Sequence, residues 1–225
     1  MLRYIILVIL FPLISAFNYV DWDDIEWKLK KSEDGITVYT RESATSSFSE
    51  LKMHGTFKTT MSSIIALFKD IPNYTAWVYN CTESRSVKSG NDGEDYYYSI
   101  TSAPWPVSDR DVVVHSKVSQ DPVTWIVSSI SEHVDGIVEK KDGLERVPLL
   151  KSMWTLIPLK GGMVDITYHL TVDPGGLIPV WLSNLTLTIG PYNTMVALRN
   201  EIARDKYKNA RFRYIFEPFL EKAAN

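Results

Sequence analysis

A chain of 225 residues, 45% hydrophobic and 23% charged, carries enough apolar material for one well-filled domain and too much for a disordered chain. Its net charge of −3 excludes a phosphate-gathering surface, so no nucleic-acid partner is expected. The one cysteine, Cys81, cannot form a disulfide within the chain, and the fold must rest on its core.

In chain order, Arg3 is followed by an uninterrupted apolar run from Tyr4 to Ile14 and then by the small residues Ser15 and Ala16. This is the layout of a secretory signal peptide. The run is shorter than the roughly 20 apolar residues a membrane-spanning helix needs. Residues 1–16 are therefore expected to direct export, with cleavage after Ala16; retention as an N-terminal anchor is the alternative. Residues 17–225 are expected to form a single domain, periplasmic in a Gram-negative host and extracellular otherwise. Residues 21–31 begin acidic and end in lysines, which predicts a short amphipathic helix. Asp34-Gly35 signals a turn, and 36–41 reads as a strand. A second strand puts Leu51, Met53, Gly55 and Phe57 on one face. The period then changes to that of a helix over 60–70, with Ile64, Ile65, Leu67 and Phe68 inward, stopped by Ile71-Pro72.

From Cys81 to Thr171 the pattern is strand after strand: 95–100, 111–118, 125–131, 152–157 and 164–172. Their alternation predicts a sheet with one wet face and one buried face. Val112, Val114, Ser116 and Val118 share the inner side of their strand, so Ser116 is a candidate lining residue. The segment 177–202 is apolar on more than one face and is expected to be a long buried helix, kinked at Gly190-Pro191. Trp181, Leu185, Tyr192 and Met195 lie near one face of that helix and are candidates for lining a ligand cavity; ordinary core packing is the competing reading. Polar residues such as Ser183, Thr188 and Asn193 on so apolar a helix fit a pocket with a few polar groups. The order of elements is α+β: a curved antiparallel sheet wrapped around a long C-terminal helix.

Several motifs carry a family resemblance. Ala103-Pro104-Trp105-Pro106-Val107-Ser108-Asp109-Arg110-Asp111, followed by Val112-Val113-Val114, resembles the proline-rich loop and Arg-Asp strand entry of the START (StAR-related lipid transfer) family. Pro191-Tyr192-x-x-Met195-x-x-Leu198-Arg199 resembles its final helix. Trp27…Asp34-Gly35-Ile36-x-Val38-Tyr39 and Ile71-Pro72…Trp77 agree in the same order. The resemblance implies the helix-grip (START/Bet v 1-like) fold and a tunnel that holds one lipid and carries it without bond chemistry. It also implies transient contact with a membrane surface, and a monomer is expected. Arg110 is a candidate ligand anchor, with Asp111 beside it; the alternative is that the two fix the loop before the strand. Sterol-binding members place an arginine near the point where this chain has Ser116, which argues against a sterol.

Catalytic chemistry finds few candidates. The four histidines are scattered, with His54, His115 and His169 on outer strand faces. There is no His-Glu-x-x-His, no cysteine cluster, no Gly-x-Ser-x-Gly elbow and no phosphate loop. No metal, cofactor or catalytic residue is therefore expected. The alternatives are a helix-grip cyclase or hydrolase with a His or Asp inside the cavity, and a binder of a non-lipid hydrophobic molecule. Asn73, Asn80 and Asn184 each begin an Asn-x-Thr sequon.

Overall fold

The computed structural model describes residues 26–43, 48–178 and 185–220, without the side chains of 185 and 186. The expected signal peptide lies outside the described residues.

Ten strands are present among the described residues: β1 (Lys28–Glu33), β2 (Ile36–Glu42), β3 (Ser49–Lys58), β4 (Cys81–Ser89), β5 (Glu94–Thr101), β6 (Asp109–Gln120), β7 (Val127–His133), β8 (Leu144–Arg146), β9 (Leu149–Leu159) and β10 (Met163–Asp173). They form one sheet in the order β1-β2-β3-β10-β9-β7-β6-β5-β4. Every pairing along that path is antiparallel, and β8 pairs in parallel with the start of β6.

The first element corrects the expectation of a helix over 21–31. Residues 21–25 lie outside the described region, and Lys28–Glu33 is a strand. The reason is the turn that follows. Glu33 pairs with Ile36, so Asp34-Gly35 is a two-residue hairpin loop, and both residues have positive φ (52° and 74°). That geometry demands an Asp-Gly or Asn-Gly pair and brings the flanking segments together as strands. The lysines that suggested a helix terminus instead charge an exposed sheet edge.

Helix α1 (Met61–Lys69) forms where expected. Thr60 caps it by accepting from Ser63 N (3.0 Å), and the Glu217 carboxylate accepts from Met61 N (3.3 Å) and Ser62 N (2.7 Å). A 3-10 turn, Ile71–Asn73, follows, then the short α2 (Tyr74–Trp77). Buried apolar side chains of α1 pack with Val38, Leu156 and Ile166 from the sheet to fill one end of the molecule.

At the C-terminal end, a π-helical stretch, Leu185–Ile189, runs directly into α3 (Gly190–Ile202). The change of helix type falls at Gly190-Pro191, the position where a kink is expected, and Pro191 has no N–H to give the ladder. Gly190 is also needed for space, since a Cβ there would sit 3.0 Å from Tyr79 Cδ1. Met195, Leu198 and Ile202 turn into the main core. A final turn, α4 (Asp205–Lys208), is tied to the 3-10 turn by Tyr207 and Lys206, which both donate to Asp70. The side-chain amide of Asn73, a sequon residue, donates to Glu201 and to Tyr207 (3.0 Å each).

The start of β6 is fixed by a buried ion pair. Arg146 donates from Nε and Nη2 to the two Asp111 oxygens (2.7 and 2.9 Å), and Tyr98 Oη donates to the same carboxylate (3.0 Å). Arg146 also donates to the carbonyls of Val138 and Glu139 (3.2 Å each), which holds the β7–β8 connection against the sheet. Burial alone would raise the Asp111 pKa, but the hydrogen bonds from Arg146 and Tyr98 outweigh it and hold the carboxyl below its ordinary value.

Candidate functional site

Between the sheet and the C-terminal helix lies a cavity of about 380 Å³. Single small-molecule sites commonly fall between about 300 and 1,000 Å³. Its walls follow from strand alternation, since every second residue of a strand faces the same side. β5 contributes Tyr97, Ser99 and Thr101; β6 contributes Val112, Val114 and Ser116; β9 contributes Leu150, Ser152 and Trp154. From β10 come Tyr168, Leu170 and Val172.

Register sorts these residues into levels. Val112, Leu150 and Val172 lie toward the mouth, with Val147 packed among them. Further in, Ser116 pairs with Ser131, Ser131 with Ser152, and Ser152 with Leu170, so three serine hydroxyls stand in one row across β6, β7 and β9. Ser131 donates to Ser116 (3.0 Å), and Ser116 and Ser129 are 3.5 Å apart. Aromatic rings surround this deep end: Trp154 packs on Tyr168 (4.2 Å between centroids), and Tyr74 sets its edge to Tyr97 (5.2 Å). Burial raises the Tyr97 pKa strongly and that of Tyr168 to about 12, so both phenols are neutral donors at working pH. Burial likewise pushes the Cys81 thiol, also on the cavity wall, up to about 11.

At the mouth, the β5–β6 loop contributes Ala103 and Pro104, and the segment after β10 contributes Pro174 and Ile178. Each of these segments also presents a large apolar side chain to solvent: Trp105 is 90% exposed and Leu177 is 96% exposed. Arg110 connects the two, donating to Ser108 O on one side and Gly175 O (3.4 Å) on the other.

The six candidate residues are distributed as follows. Ser116 lies at the deep end of the cavity and Arg110 at its rim. Trp181 lies outside the described residues, and Leu185 opens the π-helical stretch. Tyr192 and Met195 lie off the cavity, a correction to the helical face expected. Met195 is fully buried in the main core, and Tyr192 Oη donates to Asp34 (3.1 Å) on the β1–β2 turn. The cavity face of the helix is Leu187, Pro191 and Thr194. The π-helical stretch before Gly190 changes the angular spacing, so a single helical wheel drawn through 181–195 assigns the wrong side. Asp111 takes the structural role, on Arg146. Arg146 itself, Tyr97, Ser131, Ser152 and Tyr168 were all missing from the candidates. The alternation that placed Ser116 was available for the last four, but separating cavity from core needs the order of the strands.

Among the described residues no histidine lines the cavity, and the charged lining residues are Arg110 and Asp111. A curved sheet closed by a helix around a mostly apolar cavity defines the helix-grip fold. The START domain family model matches residues 18–193, and this chain belongs to that family. It is 34% identical over 176 residues to an uncharacterized protein of Pseudomonas aeruginosa, a match covering 78% of this chain and 86% of that one. A STAR-related lipid transfer protein from Xanthomonas axonopodis superposes with a TM-score of 0.72 at 32% identity, covering 79% of this chain and 99% of that one. Human StAR-related lipid transfer protein 5 shares the fold, with a TM-score of 0.72 at 19% identity, covering 80% of this chain and 88% of that one.

Proposed function

We propose that this protein carries one lipid, or a hydrophobic molecule of similar size, in its cavity and exchanges it at a membrane surface. The cavity is the observation that carries the reading: an apolar chamber with hydroxyls at one end, opening between two loops. Membership of the START family and the lipid-transfer designation of the Xanthomonas protein support it. Burying a methylene is worth about 0.8 kcal/mol, so about a dozen of them give on the order of 10 kcal/mol without any bond chemistry. Trp105 and Leu177 support the membrane contact, because tryptophan settles at the bilayer interface and leucine inserts below it. Residues 1–16 would place this activity outside the cytoplasm, in the periplasm or beyond the cell.

Vesicle-to-vesicle transfer of a fluorescent acylglycerol tests the exchange step. Trp105→Ala combined with Leu177→Ala is expected to slow transfer at least about tenfold, since even partial insertion of two large apolar side chains is worth more than about 1.4 kcal/mol. Gly190→Ala combined with Pro191→Ala is expected to slow it as well, since the added methyl meets Tyr79 and the helix loses its break beside the mouth. Transfer at the native rate in both variants would contradict exchange through this opening.

A further inference from the structure

We infer that the cargo is an amphiphile with a neutral, hydrogen-bonding head, seated against the hydroxyls at the deep end of the cavity, and that ionised heads are selected against. The inference rests on the carrier reading and narrows it to a class of lipid.

Besides the Tyr74 hydroxyl, which donates to Phe68 O, the deep end offers six hydroxyls: Ser116, Ser129, Ser131, Ser152, Tyr97 and Tyr168. Each has one proton to donate and about two acceptor positions. Ser116 is bonded to Ser131 and lies near Ser129; Ser131 is the hydroxyl beside Tyr97, and Ser152 the one beside Tyr168. These contacts use at most four of the six protons and leave most acceptor positions open. Such a surface serves a hydroxyl, ester or amide equally well, because it can both donate and accept.

It does not serve an ion. Asp111 is the one lining carboxylate among the described residues, and it is taken up by Arg146 and Tyr98. Arg110 is the one lining cation among them, but it sits at the rim, six residues from Ser116 along β6. At about 3.3 Å per residue that is roughly 20 Å away. A carboxylate or phosphate at the deep end would shed its water and meet only neutral dipoles, which costs several kcal/mol per ion in a protein interior. A neutral head exchanges its water for hydroxyl partners at little cost.

Delipidated protein, loaded with the neutral dye Nile red, is titrated below the micelle concentration with 1-oleoylglycerol and with 1-oleoylglycerol 3-phosphate. The two differ only in the phosphate. The neutral lipid is expected to displace the dye at a concentration at least about tenfold lower. Ser131→Ala and Tyr168→Phe are each expected to weaken the neutral lipid about 2- to 10-fold, the worth of one hydrogen bond, and so to narrow the gap. Equal or tighter binding of the phosphate compound to the native protein overturns the inference, whether or not the variants fold. Dye displaced by neither lipid overturns it too while leaving the cavity reading standing; failure to bind the dye at all removes the carrier reading with it.

Discussion

Replacing Asp111 by asparagine is expected to destabilise the protein by about 3–5 kcal/mol, the cost of stranding a buried charge. For a chain of this size that lowers Tm by on the order of 10 °C. The Arg146 and Asp111 side chains are 7% and 1% exposed, so the guanidinium left behind has no water to turn to. Both the Arg146 and Tyr98 donors would lose their acceptor charge, and the β7–β8 connection that Arg146 holds would loosen with them. Replacing the pair together, Asp111→Leu with Arg146→Met, is expected to recover most of the loss, because apolar substitutes for a buried ion pair are often tolerated. The effect is also pH-dependent, with a defined sign. The Asp111 carboxyl titrates lower in the folded protein than in the unfolded chain, so its stabilisation is complete above the unfolded value near pH 4. It is lost as pH falls through the folded pKa, and the native and Asp111→Asn melting curves should converge in acid. A constant difference between them from pH 7 to pH 3 would contradict this account of the pair.

A second large effect is expected from filling the cavity. Leu150 lies on its wall near the mouth, half-buried and opposite Val172 on the neighbouring strand. Leu150→Trp puts an indole into space that the fold leaves open, and co-purifying lipid should fall at least about tenfold, as expected from losing more than 1.4 kcal/mol of binding. Stability should hold or rise, because atoms added to a void gain contacts that a close-packed core would refuse. Thermal melts and lipid extraction on the same sample separate the two outcomes. Native lipid content in a folded Leu150→Trp variant would place the cargo elsewhere.

The strands that build the sheet were largely legible because period-two alternation survives in a sheet with one buried face: Leu51, Met53, Phe57, Val164 and Ile166 are all buried as the pattern required. The first element was misread because charge order is a weak signal, and it was overruled by the φ > 0 geometry of Asp34-Gly35. Within the site, Ser116 was legible because a polar residue stood in an otherwise valine-lined face. Its partners Ser131 and Ser152 were not, since they meet only through the order β6-β7-β9, in which β9 is reached past an intervening β8. Tyr192 and Met195 were assigned to the wrong side because the helix does not keep one period across Gly190. Arg146 was invisible for a third reason. It meets Asp111 across 35 positions and by a parallel pairing, β6 with β8, that no local pattern announces.

Native mass spectrometry with organic extraction, on protein purified from its own host, tests the central claim most directly. The account predicts one bound molecule per chain, a neutral lipid or mixture of neutral lipids, lost on denaturation and depleted in Leu150→Trp. Protein that emerges empty, and that takes up neither a fluorescent acylglycerol nor Nile red when offered them, would leave the fold in place and contradict the carrier.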